Sequence, residues 1–206
     1  ESNERDFMRE VFQNQLSDVQ HRLVEMAESV TVIMDKASRA FLTSDVSLAD
    51  EAIALAEANE NRALALDEIA IRVLAKQSPV ARDLRILVSA LRISASLERM
   101  GALAGHIAAI ARYRYPGSAV PEALRETFAE MGRLDVELGR RVTTLLKNTD
   151  VNLAREIQAE DARVDELHRH IFSVVLGDDW KENAIYTVDV TLASRYHERF
   201  ADHVVD

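Results

Sequence analysis

Ser44-Asp45-Val46-Ser47-Leu48-Ala49 and Thr149-Asp150-Val151-Asn152-Leu153-Ala154 are one signal written twice. In each copy a hydroxyl residue and an Asp stand before an apolar run, which is how a helix start is spelled. A second echo follows in the same order, where Glu98-Arg99 pairs with Glu198-Arg199. A chain that repeats its helix starts and its interior dipeptides in the same order is built from two copies of one unit.

Outward from these anchors the chain reads as six helices. Phe12, Leu16, Val19, Leu23, Met26, Val30, Ile33, Ala37 and Phe41 recur at spacings of four and three, the seam of a long first helix. Ser44 and Asp45 cap a second helix that runs to about Gln77, where Pro79 breaks it. Pro79 suits the first turn of a third, with Val80, Leu84, Leu87 and Leu91 on its seam, continuing to about Tyr113. Tyr115-Pro116-Gly117-Ser118-Ala119-Val120-Pro121 is the one stretch with linker chemistry, and it lies near mid-chain. Beyond it, Leu124, Phe128, Met131, Asp135, Leu138, Val142 and Leu145 mark a fourth helix, with Asp135 as a polar intruder on the seam. A fifth starts at Thr149-Asp150 and carries Ile157, Val164, Leu167 and Ile171; Gly177-Asp178-Asp179 is expected to end it and cap a sixth. The fold expected is all-α, two tandem three-helix bundles over residues 8–114 and 121–206, with one irregular six-helix bundle as the alternative. Residues 1–7 are polar and carry no weight in this reading.

Composition agrees and narrows the function. Of 206 residues only 5% are aromatic, with six Gly and three Pro, which argues against sandwiches and barrels. The formal net charge of −10 and the lack of a basic run disfavour nucleic-acid binding. Zero Cys excludes disulfides and thiolate metal sites, so His and carboxylates are the metal ligands left. No apolar run of about 18 residues and no signal-peptide core are present, so a cytoplasmic protein without membrane insertion is expected. No G-x-x-x-x-G-K-[ST] loop and no Cys nucleophile offers a catalytic apparatus.

Acids concentrate late in the chain. Asp161 and Asp165 are four apart on the fifth helix, and Glu198, Asp202 and Asp206 make a three-rung ladder on the sixth. Like charges at this spacing weaken a helix, whereas carboxylates from two facing helices can chelate a hard cation. The alternative is a solvated face paired with Arg163, Arg169, Arg195 and Arg199. His168 and His197 read as surface or packing residues; His203, next to Asp202, is the histidine placed to join the acids. In the first copy Asp161 and Asp165 correspond to Ala56 and Glu60, and Glu198, Asp202 and Asp206 to Glu98, Ala102 and His106. Glu60 and Glu98 are therefore what remains there of any such site. Arg82 and Arg85 at the start of the third helix offer a phosphate contact, set against a salt-bridged helix start with Asp83.

Leu74-Ala75-Lys76-Gln77-Ser78-Pro79-Val80-Ala81-Arg82-Asp83-Leu84-Arg85, with Leu97-Glu98-Arg99-Met100-Gly101 and Glu198-Arg199-Phe200-Ala201-Asp202-His203, resembles the PhoU family of phosphate-uptake regulators. The resemblance runs from about Met8 to Asp206, and Arg99-Met100-Gly101-Ala102-Leu103-Ala104 looks closest to actinobacterial members. It implies a non-enzymatic cytoplasmic regulator, often a homodimer, that couples the ATPase of the Pst phosphate ABC transporter (PstB) to a sensor histidine kinase. Such a regulator keeps the phosphate-starvation response off when phosphate is plentiful. It also implies a metal site, iron first, with zinc, manganese or magnesium as substitutes. The family motif falls on Asp161 with Asp165 and on Glu198 with Asp202, while Ala56 and Ala102 put a first-repeat cluster in doubt.

Two other classes compete. A carboxylate-bridged di-metal oxidoreductase would use inward acids on bundled helices, but the chain offers only the imperfect Asp165-Glu166-Leu167-His168. A metal-free helical scaffold would use the acids for solubility alone.

Overall fold

The computed structural model describes residues 2–77, 81–148 and 151–205, and among these no strand occurs. The helices are α1 (Ser2–Thr43), α2 (Val46–Gln77), α3 (Ala81–Arg114), α4 (Arg125–Lys147), α5 (Val151–Val175) and α6 (Ala184–Val205), with a short 3₁₀ turn at Glu122–Leu124 before α4. α1, α2 and α3 pack on one another, as do α4, α5 and α6. The two bundles lie side by side, α1 against α4 and α3 against α6, over one continuous apolar core.

Local chemistry explains most boundaries. α1 buries the predicted seam from Phe12 to Phe41, with Leu16 half-buried, and its helix extends back to Ser2 through residues that stay exposed. Asp45 caps α2 by accepting the Leu48 amide at 3.0 Å. Ser44 does not share in that cap; it turns the chain at φ 57° and sends its hydroxyl to the Gly117 carbonyl at 3.3 Å. The break at Pro79, the seam residue Val80 and the Thr149-Asp150 start lie outside the described residues. On α3, Leu87 is buried and Leu91 half-buried, but Leu84 is exposed, so the first turn of that helix overhangs the core. The expected cap of α6 is corrected. Gly177 to Asp179 do end α5, but Asn183 caps α6, its side chain accepting the Tyr186 amide at 3.0 Å. The added loop is tied down by Trp180, whose indole N–H donates to Thr187 Oγ1 at 2.9 Å.

The mid-chain linker is part of the structure and not a slack tether. Ala119 and Val120 are buried in the shared core. Arg114 at the end of α3 grips buried Asp189 of α6 with two bonds, at 2.5 and 3.2 Å. Phe41 of α1 meets Phe128 of α4 edge to face, ring centroids 5.0 Å apart.

What lets α1 and α4 approach is glycine. A Cβ on Gly132 would sit 2.9 Å from the Ser38 Cβ, and one on Gly139 would sit 3.2 Å from the Thr31 Cα. These two residues are seven apart, so they lie on one face of α4 and fit against α1 without side chains. Because the Gly139 neighbour includes backbone, the space cannot be recovered by a rotamer change. Gly139→Val is expected to lower unfolding free energy by about 1–3 kcal/mol through overpacking. Adding Thr31→Ala is expected to restore part of that loss. Equal stability of wild type and Gly139→Val in urea unfolding would show that α1 and α4 do not need this close approach.

Candidate functional site

α5 is oriented by ion pairs on one of its faces. Arg141 of α4 donates to Glu160 at 2.8 Å and also bonds Glu156, while Arg163 reaches back to Glu130 of α4 with bonds of 2.9 and 3.2 Å. With 156, 160 and 163 turned to α4, the helical repeat carries 161, 165 and 168 round towards α6.

On that side the predicted acids fall into a graded set. Asp161 is half-buried, and its charge acts on Asp135 of α4. Asp165 is 48% exposed and bonds Arg169 one turn on at 3.4 Å. Glu198 is only 8% exposed, is held by Arg195, and hydrogen-bonds Asp202. Burial pushes the Glu198 carboxyl up to about 7; the hydrogen bond and like charge of Asp202 add to the rise, and Arg195 opposes it. Glu198 and Asp202 are thus two carboxylates sharing one small space on one helix.

His168 stands among them. Its Nδ1 shares a 2.5 Å hydrogen bond with Ser194 Oγ of α6. Burial and Arg195 lower its pKa, while Asp165 and Asp202 pull it the other way. His203 lines a cleft of about 280 Å³ with Arg92 and Met100 of α3 and Leu145 of α4. Asp206 lies outside the described residues. Two of the alternative arginine partners, Arg169 and Arg195, do engage the acids, whereas Arg163 is committed to Glu130 and Glu166. In the imperfect Asp165-Glu166-Leu167-His168 motif the two ends, half-buried Asp165 and buried His168, share a face of α5, and the charge of Asp165 acts on His168. Arg82 and Arg85 are exposed on the overhanging start of α3.

Sequence reasoning missed the deepest polar pair. Asp135 is fully buried, and the His197 Nδ1–H donates to its Oδ2 at 2.7 Å. Burial raises Asp135 to about 6 against the pull of His197. Asp135 Oδ1 and His197 Nε2 are buried with no hydrogen-bond partner, which leaves this pair short of full satisfaction. The available signal was an Asp at an apolar seam position with no helix-capping duty.

In the first repeat Glu60 and Glu98 both border the groove between α2 and α3. Ala56 packs under Gly105, whose added Cβ would sit 3.1 Å from the alanine methyl. Among the described residues no three His, Asp or Glu side chains are gathered as they stand in ligating geometry. The donor set still fits an oxygen-seeking cation. Glu198 and Asp202 already crowd each other at the cost of a raised pKa, and Asp165 and Glu198 are held by arginines on single-turn bonds that a rotamer change releases.

Fold and site together define a two-repeat helical-bundle protein whose chemically distinctive surface is a half-sunk carboxylate face. The PhoU domain matches the chain twice, at residues 23–111 and 128–206. The chain is 44% identical over 199 residues to the phosphate-specific transport system accessory protein PhoU homolog 2 of Mycobacterium tuberculosis, covering 97% of this chain and 93% of that protein. It is 43% identical to PhoU homolog 1 of Mycobacterium leprae, over 97% of this chain and 90% of that one. The crystal structure of PhoU from Pseudomonas aeruginosa shares the fold with a TM-score of 0.84 at 23% identity, over 94% of this chain and 93% of that chain. The chain belongs to the PhoU family.

A carboxylate whose folded pKa is raised adds stability below its unfolded value and loses it as pH rises through the folded one. Between pH 5 and pH 8, without divalent cations, the wild type is therefore expected to lose stability relative to Glu198→Gln. The gap is expected to be near zero at pH 5 and, discounted for solvent access, on the order of 1 kcal/mol in favour of the variant at pH 8. A gap that does not change with pH in urea titrations would contradict the crowding of Glu198 and Asp202.

Proposed function

We propose that this protein is an accessory regulator of a phosphate transport system, working in the cytoplasm as a homodimer that contacts the ATPase of the Pst phosphate transporter and a phosphate-sensing histidine kinase. In this reading it represses the phosphate-starvation response while phosphate is plentiful. The observation that carries it is the double PhoU match, together with relatives above 40% identity named as accessory proteins of phosphate-specific transport. The sequence supports a binding role, since it lacks a nucleotide loop and a Cys nucleophile. No helix among the described residues is long and apolar enough to cross a membrane.

The same reading assigns a metal ion to the second repeat. Asp161 and Asp165 of α5 with Glu198 and Asp202 of α6 would hold it, and iron is the first choice, with zinc, manganese or magnesium as substitutes. When bound, the ion supplies positive charge that offsets the repulsion among these acids. The chain's own part is to present them: the Arg141 and Arg163 clamps fix the rotation of α5, and the His168–Ser194 bond sets its distance from α6.

Deleting the gene is expected to raise alkaline phosphatase in phosphate-rich medium; unchanged output would reject the regulatory role. Elemental analysis of untagged protein is expected to find metal in the wild type and clearly less in an Asp161→Ala plus Asp202→Ala variant. Added divalent ion is expected to raise the melting temperature of the wild type only. Equal metal content in both proteins would put the ion elsewhere.

A further inference from the structure

The first repeat carries a surface that its own helices leave uncovered. Between α2 and α3 runs an open groove of about 640 Å³. Leu64 and Ile71 of α2 line it while 58% and 61% exposed, and Leu91 of α3 lies across from them. Aliphatic side chains left this open and clustered in a trough mark a contact surface more often than chance exposure. Glu60, Asp67 and Glu98 line it as well, and among the described residues no basic side chain does. None of these three acids is held in an ion pair by the rest of the described chain.

The internal repeat explains why the groove is open here. The register that pairs 60 with 165 also pairs Ala63 with His168, and the register that pairs 98 with 198 pairs Ala95 with Arg195. In the second repeat His168 bridges from α5 to Ser194 of α6, and exposed Arg195, close enough to act on His168, bonds Glu198 along α6. In the first repeat two methyl groups stand in their place. Two of the acids are gone as well, as Ala56 and Ala102, while Glu60 and Glu98 remain.

From residue 60 to residue 71 is about 16 Å along α2, the length of three turns of a second helix. An apolar floor with carboxylates beside it is complementary to a helix whose apolar stripe is flanked by Lys or Arg. A second copy of this chain is a poor match, because its net charge is −10. We propose that the α2–α3 groove docks a cationic amphipathic helix of a partner protein, the stripe resting on Leu64, Ile71 and Leu91 and the basic residues pairing with Glu60, Asp67 and Glu98. This goes beyond the phosphate-regulator reading and survives its failure, since neither the metal nor the transporter enters the recognition.

The test uses the full chain and a labelled helical peptide of about 14 residues with a Leu stripe flanked by Lys, alongside a twin with Glu for every Lys. Fluorescence anisotropy is expected to show binding of the Lys peptide and at least roughly tenfold weaker binding of the Glu twin. A Leu64→Ser plus Ile71→Ser variant, and separately Ala95→Arg, are each expected to weaken the Lys peptide about tenfold or more. Val188→Ser, an exposed apolar position on α6, is expected to leave it unchanged. All the altered side chains are exposed, so circular dichroism should find each variant folded; if the double variant unfolds, Ala95→Arg decides. Equal affinity for wild type and both groove variants would overturn the proposal, as would equal affinity for the two peptides. A wild-type dimer that the groove variants turn into monomers would also overturn it, by making a second copy the occupant.

Discussion

The contact on which the architecture rests is the close approach of α1 to α4. A three-helix unit with one apolar stripe per helix could close on itself, but α1 and α3 present apolar surface on two sides and need cover on both. Gly132 and Gly139 supply the room on α4, and Phe41 against Phe128 fills what remains with an aromatic contact. The result is one core instead of two. The ends of the shared face are fastened by polar bonds, Arg114 to Asp189 on one side and Lys147 to Glu28, at 3.3 Å, on the other.

The second constraint is electrostatic. α4 delivers Asp135 into the core to meet His197 of α6, and α5 brings Asp161 near enough to act on it. The acidity of the second bundle therefore runs inward from half-buried Asp165 and Asp161 to a fully buried carboxylate. Desolvated acids are expensive unless paired or neutralised, and each here has a different remedy: a histidine, an arginine one turn away, or a shared proton. A protein needing only solubility would leave such groups on its surface. The first repeat shows the other outcome, where Ala56 and Ala102 stand for two of the acids and an open groove with exposed Leu64 and Ile71 runs between α2 and α3.

Much of the fold was legible because helices declare themselves by spacing. The seam from Phe12 to Phe41 reads correctly because one face of α1 must meet apolar partners along its length. Asp45 was legible because its cap is a local bond to Leu48, three residues on. The start of α6 was not, since the Gly177-Asp178-Asp179 turn and Asn183 are both good local solutions, and the Trp180 indole bond to Thr187 accompanies the second. Leu84 misled for a related reason: periodicity assigns a face but does not say how far the partner helix extends. At the site, the i, i+4 acids were visible as a pattern, whereas the bond from His168 to Ser194 of α6 was not. A one-residue difference in helical phase turns a side chain by about 100°, and only packing fixes that phase.

By itself the sequence determined the helical class, the duplication, the helices on which acid gathers and the family, because these depend on composition, period and local order. Tertiary structure alone decided that the two repeats share a core, that Asp135 and His197 meet across 62 positions, and that His168 bonds Ser194 close to Asp165 and Asp202. Those facts depend on the rotation and spacing of whole helices, which are set by long-range packing such as glycine against Ser38 and Thr31. No local window of sequence contains both sides of such a contact.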